Sequence, residues 1–219
     1  MIIVFIACKK KTDGVTENNL VKPHYPTIKL NGNQFVSTPI GTGAYTDPGA
    51  VGTNDQTGAK VNLTPIKNTV DLTTPGFYTV TYEFRNDDGY IVDVTRFVLV
   101  TTVSSSKDFS GKYERTNSDS AFVRVANVSK IGIGLYRIDN VGGVKTTTQL
   151  PTEPAYIGFP NDSTIQIPLQ TTPDGTSLSA ADGIFYIDNS VIPSDTIMQW
   201  RMTAGPFSFS SIRQFTKVH

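Results

Sequence analysis

From Tyr25 onward the chain alternates short runs of β-branched and aromatic residues with clusters of Gly, Pro, Asn and Asp, the pattern of strands joined by turns. The clearest run is Gly76–Arg85. There Tyr78, Val80, Tyr82 and Phe84 fall on one face and Thr79, Thr81 and Glu83 on the other, the period of two expected of a strand buried on one side. Asn86-Asp87-Asp88-Gly89 then predicts a tight turn, because the Asp-Gly step suits the positive φ that hairpin turns require. Tyr90 to Val103 follows as a second long β segment, so Asp87 and Asp88 are read as turn residues rather than cation ligands. No stretch of useful length has helical spacing.

Ser104-Ser-Ser-Lys-Asp108 is a short polar stretch directly after this segment, and it marks a domain boundary. Beyond it the β pattern resumes. Strand candidates are residues 122–125, 134–138, 164–169, 183–187, 196–202 and 207–215. In the fifth of these, Met198, Trp200 and Met202 share an apolar face opposite Gln199 and Arg201, which assigns Trp200 to a core. The prediction is an all-β protein, with an N-terminal β-sandwich over residues 25–103 and a C-terminal antiparallel β-sandwich or open barrel over residues 104–219.

Composition narrows the function. Nineteen Lys and Arg balance nineteen Asp and Glu, so no global field draws the chain to a phosphate backbone, and nucleic acid is not an expected partner. The single cysteine excludes an intrachain disulfide and a multi-cysteine zinc site. The two histidines, His24 and His219, lie before the first strand and at the last position, which leaves histidine-based catalysis without a framework.

The cysteine has its own context. Met1 to Ala7 is apolar but far short of the ~20 residues that span a bilayer, and it reads as the remnant of a signal peptide whose basic start does not precede it. Phe5-Ile6-Ala7-Cys8 resembles a bacterial lipobox, with Phe5 in place of the usual Leu. The resemblance implies lipidation of Cys8 and a mature chain anchored to a membrane through several acyl chains, each buried CH₂ contributing ~0.8 kcal/mol. Residues 8–24, rich in Lys, Asn and Thr, read as a flexible tether.

Gly43-Ala-Tyr-Thr-Asp-Pro-Gly-Ala50, Val70-Asp71, Pro75-Gly-Phe-Tyr-Thr-Val-Thr-Tyr82, the Asp88-Gly89 turn and Thr95-Arg-Phe-Val98 resemble the bacterial immunoglobulin-like domain of secreted and surface proteins. That implies a sandwich of about seven strands without catalytic residues. Gly111-Lys-Tyr113, Val128-Ser-Lys130, Gly134-Leu-Tyr136, Asp139 and Gly142-Gly143 resemble the C-terminal β domain of Bacteroidetes lipoproteins found beside glycan-uptake systems. This second resemblance implies residence at the outer membrane and partners among polysaccharides and outer-membrane transporter components. The three lysines after Cys8 leave both the cell surface and the periplasmic side open. Asp119-Ser-Ala121, Asp162-Ser-Thr164 and Asp195-Thr-Ile197 are similar to the O-glycosylation acceptor pattern of the same group.

No Gly-x-Ser-x-Gly elbow, phosphate loop or metal-ligand cluster is present, so the expected protein is not an enzyme and needs no cofactor or metal. Glycosidases need only two carboxylates. Glu114, Asp139, Glu153, Asp182 and Asp188 are available, but nothing in the sequence selects a pair. Sugar binding asks for an aromatic face and a few planar polar partners. The proline-braced segment from Leu150 to Asp162 offers Tyr156 and Phe159 beside Glu153, Asn161 and Asp162, and these five form the candidate ligand site, with closure of a barrel end as the competing reading of the two rings. The leading expectation is a non-catalytic, membrane-anchored glycan-binding lipoprotein. The alternative is an adhesive or structural protein in which the N-terminal domain spaces a protein-binding C-terminal domain from the membrane.

Overall fold

The computed structural model describes residues 24–41, 43–116, 125–143, 154–172, 175, 177–204 and 209–219, and every regular element among them is a strand. Cys8, Glu153 and the first acceptor-like pattern at Asp119 lie outside the described residues.

The N-terminal sandwich contains β1 (Thr27–Leu30), β2 (Phe35–Pro39), β3 (Ala50–Thr53), β4 (Lys60–Leu63), β5 (Lys67–Asn68), β6 (Gly76–Arg85) and β7 (Ile91–Thr101). One sheet has the order β1-β3-β4 and the other β2-β7-β6-β5, with β2 running parallel to β7. The predicted hairpin is the backbone of the second sheet. β6 and β7 pair from Gly76↔Val100 to Arg85↔Ile91, and Gly89 turns them at φ 85°. Val80, Tyr82, Val98 and Ala50 are buried between the sheets, which is what the period-two pattern of β6 requires.

A buried polar cluster pins the two sheets together. Arg96, on the inward face of β7, is fully buried. Its guanidinium pairs with Asp47 and donates to Asn33 O at 3.0 Å, Asn31 O at 2.5 Å and Gly49 O at 3.4 Å. Asp47 also accepts from the Tyr82 hydroxyl, from Tyr45 Oη at 3.0 Å and from Gly49 N at 2.8 Å. Burial raises the Asp47 carboxyl, but the hydrogen bonds from Arg96, Tyr82, Gly49 and Tyr45 outweigh it and hold it below the usual carboxylate range. Tyr45 and Asp47 therefore reach in from the Tyr-Thr-Asp-Pro-Gly segment while Thr46 and Pro48 stay exposed, and four donors compensate the Asp47 charge.

The C-terminal domain contains β8 (Gly111–Arg115), β9 (Val125–Gly132), β10 (Leu135–Ile138), β11 (Ala155–Gly158), β12 (Thr164–Thr171), β13 (Ser177–Asp188), β14 (Asp195–Ala204) and β15 (Phe209–Lys217). Each pairs antiparallel with the next, and β15 returns to β8 through Phe215↔Arg115, Thr216↔Glu114 and Lys217↔Tyr113. The result is an eight-stranded up-and-down barrel, so of the two predicted architectures the antiparallel barrel is adopted, with its edges joined. Closure gives both terminal strands a partner and removes the exposed edges that an open sheet would present. An eight-stranded barrel is narrow enough for side chains to fill. Here Met198, Trp200 and Met202 of β14, Phe215 of β15, Tyr113, Tyr136, Phe159 and Phe185 fill it, with Trp200 stacked on Phe215 at a centroid distance of 5.0 Å.

The domains pack against each other. On β7 the inward residues are Val94, Arg96 and Val98, while Phe97 and Leu99 point out of the sandwich and meet Phe35, Phe77, Leu135 and Tyr156 in a separate apolar cluster. Thr102 N donates to Pro160 O at 2.9 Å, Thr101 Oγ1 to Phe159 O at 2.6 Å and Phe77 N to Gln166 Oε1 at 3.0 Å. The approach is close at Gly158, where a Cβ would stand 2.5 Å from Phe77 Cε2.

Candidate functional site

The segment expected to be a binding loop contains a strand. Ala155 to Gly158 form β11, paired with β10 through Arg137↔Tyr156 and its neighbours. Its prolines bracket a strand, because β10 and β12 on either side supply the hydrogen bonds that a loop would have lacked.

The five predicted ligand residues separate in space. Phe159 is fully buried, with Phe109 at 4.6 Å and Phe185 at 5.5 Å between centroids, so it is a core residue and has no face for a sugar. This corrects its assignment as a stacking platform: alternation along β11 carries residue 159 into the barrel. The Asn161 side chain accepts from Ser163 N, Ser163 Oγ and Thr164 N at 2.9–3.0 Å, which makes it a turn-holding residue. Asp162 pairs with Lys107 from the interdomain segment, both more than two-fifths exposed. Glu153 lies outside the described residues. Tyr156 is half-buried and sits at the domain boundary.

Tyr156 is the barrel's contribution to a three-ring stack that crosses this boundary. Its ring lies 4.0 Å from Phe35 at an interplanar angle of 12°, and Phe35 lies 4.7 Å from Phe97 at the same angle. Phe35 uses both faces, so Tyr156 and Phe97 are the rings with surface left for a ligand. Gln170 fixes the backbone beneath Tyr156, its Oε1 accepting from Tyr156 N at 2.8 Å and its Nε2 donating to Tyr156 O at 2.9 Å. These side chains replace ladder bonds where β11 and β12 diverge beyond Gly158↔Gln166.

The stack borders a groove of about 580 Å³ whose polar walls come from both domains: Gln34, Asp93 and Thr95 from the sandwich, Arg137, Thr171 and Thr172 from the barrel. A groove of this size accommodates a small ligand or a short stretch of a polymer. Arg137 and Asp93 form no ion pair among the described residues. The groove thus combines aromatic surface with a cation, a carboxylate and hydroxyls.

Residues 28–100 match the family model of the Ig-like domain of bacterial surface proteins. The N-terminal sandwich is Ig-like. Among solved structures the chain is similar to the crystal structure of the lipoprotein BT2262 from Bacteroides thetaiotaomicron, with 19% sequence identity and a TM-score of 0.39, over 89% of this chain and 100% of that one. No curated protein matches. The Ig-like domain supplies Gln34, Phe35, Asp93 and Phe97 to the groove, none of which sequence reasoning singled out. A signal was present in Phe97-Val-Leu-Val100, which is apolar on both faces where a strand of a free-standing sandwich would alternate.

Three of the carboxylates considered for hydrolysis are held in local contacts of their own. Asp139 accepts from Asn127 N and Nδ2 at 2.7 Å, Asp188 from Ser190 N and Oγ, and Asp182 pairs with Arg201 at 3.3 Å on the surface. Among the described residues no group of three or more His, Cys, Asp or Glu is placed to hold a metal, and no helix is long and apolar enough to cross a membrane.

Proposed function

We propose that this chain is a non-catalytic lipoprotein, anchored through Cys8 at the outer membrane, that binds a glycan segment in the groove between its Ig-like domain and its barrel. The observation that carries the reading is the groove itself. Tyr156 and Phe97 offer apolar ring surface to the C–H face of a pyranose, and Arg137, Asp93 and the threonine hydroxyls offer partners for its hydroxyl groups. The Ig-like domain is then half of the binding site and not a spacer. Anchorage rests on the lipobox-like Phe5-Ile6-Ala7-Cys8, and a surface setting agrees with the family matched by residues 28–100.

Affinity electrophoresis of the two-domain chain against a panel of polysaccharides tests the reading. A retarding polysaccharide should be found, and Tyr156→Ala, Arg137→Ala and Asp93→Ala should each weaken retention, by about tenfold or more for the aromatic. Retention unchanged by Asp93→Ala would remove the Ig-like domain from the site. Anchorage is tested by mass spectrometry of the N-terminus after expression with a functional signal peptide; an unmodified Cys8 would refute it.

An adhesive reading has one observation in its favour. The β13–β14 hairpin exposes Ile187, Val191 and Ile192, the last completely, an apolar surface that fits a protein partner. Partner capture abolished by Ile192→Ser and unaffected by Tyr156→Ala would favour it.

A further inference from the structure

A second cleft opens beside the interdomain segment, and we infer that it binds an organic anion with an apolar body. This site is independent of the groove.

The chain between the domains crosses the barrel end where β11–β12 and β13–β14 turn. Phe109 drops from it onto the barrel core, 4.6 Å from both Phe159 and Phe185 between centroids. Its backbone is held by two tyrosines, with Phe109 N donating to Tyr136 Oη at 3.0 Å and Tyr113 Oη donating to Phe109 O at 2.8 Å. The barrel end is thereby plugged, and a cleft of about 470 Å³ is left outside the plug. Phe109, Phe185, Tyr186 and Ile187 form its carbon-rich walls, and Tyr186 and Ile187 are 40% and 56% exposed.

Charge selects the ligand. Lys107 is paired with Asp162, and Asp108 accepts from Ser110 N at 2.9 Å. Neighbouring Lys130 donates to Ser105 O at 3.0 Å and Lys107 O at 2.5 Å. Lys217 forms neither an ion pair nor a side-chain hydrogen bond among the described residues; its ammonium stands 5.9 Å from the centroid of the Tyr113 ring. Its stem lies over Gly111, where a Cβ would be 2.8 Å from Lys217 Cε. The cation is laid along the cleft by a glycine and an aromatic face; Asp108 is near enough to feel its charge, but no carboxylate among the described residues lies within ion-pair distance of it. A carboxylate or sulfonate joined to an aromatic or aliphatic body satisfies both the charge and the carbon surface.

The probe is 8-anilinonaphthalene-1-sulfonate, titrated by fluorescence into the folded two-domain chain, with N-phenyl-1-naphthylamine as the same body without the sulfonate. Saturable binding of the sulfonate is expected. Lys217→Met should weaken it by about tenfold or more, the scale of one charge-assisted contact, while Lys217→Arg retains it. Arg137→Met, in the groove, should leave it unchanged. The uncharged dye should bind Lys217→Met and the parent chain alike. Equal sulfonate affinity in Lys217→Met and the parent, equal losses for both dyes, or no saturable binding by the parent would each overturn the inference.

Discussion

Replacement of Asp47 by Asn isolates what the buried cluster contributes to the Ig-like domain. The Arg96 side chain has no solvent exposure, and its remaining partners are the carbonyls of Asn31, Asn33 and Gly49. With Asn at position 47 the guanidinium keeps its charge and loses its counter-charge. The amide also turns one of four donor-facing sites into a donor. Removing one partner of a buried pair costs about 3–5 kcal/mol, against a domain stability of about 5–15 kcal/mol. With a urea dependence of about 1–3 kcal/mol per molar, the domain's midpoint should fall by more than ~1 M. The two domains can be followed separately, because Trp200 is the only tryptophan and sits in the barrel. Far-UV circular dichroism should therefore show an early transition in Asp47→Asn that precedes the change in Trp200 emission. Adding Arg96→Met should restore part of the loss, since it removes the uncompensated charge. A single variant within about 1 kcal/mol of the parent, or a double variant as damaged as the sum, would refute the reasoning.

The same cluster sets a pH dependence at both ends. Asp47 titrates below its ordinary value in the folded state, so its contribution is complete above about pH 4, the unfolded value, and is lost as pH falls through the folded one; acid unfolding monitored by circular dichroism should lose this component in Asp47→Asn. Tyr82 is pushed up to about 12, by burial first and then by Asp47, so the domain should weaken as pH rises from about 10 toward that value, and Tyr82→Phe should flatten the alkaline limb. Gly158→Val places carbon atoms inside the Phe77 ring contact and should cost about 1–3 kcal/mol, with a larger radius of gyration by small-angle scattering; an unchanged radius would place the interface elsewhere. Trp200→Ala should cost about 3–5 kcal/mol in urea unfolding of the barrel, as a fully packed aromatic. Asp162→Ala should cost less than ~1 kcal/mol, because its pair with Lys107 is exposed to solvent.

Local pattern made much of this protein legible. The alternation in Gly76–Arg85, the Asp-Gly turn after it and the Met-x-Trp-x-Met face of β14 each reported a burial that the fold then realised, because period-two exposure is written into neighbouring residues. The Ig-like resemblance of residues 25–103 was readable for a similar reason: Asp47, Tyr82 and Arg96 must all be present for the charge to be buried. Other features had no local signature. β11 looked like a loop because its four residues are bracketed by prolines, and only the strands on either side make it part of a sheet. Phe159 looked available for the same reason.

What the sequence by itself determined is the all-β class, the turn after β6 and the inward set of the long strands. Tertiary structure alone decided that the second domain closes, since closure depends on β15 meeting β8 from the far end of the domain. It also decided the candidate site. Tyr156 was visible as an aromatic residue, but its partners Phe35, Phe97 and Asp93 belong to another domain and come to it through the packing of Phe77 on Gly158. Periodicity records which side of a strand is buried; it does not record what buries it. That is why a groove built from two domains was absent from the pattern of either one.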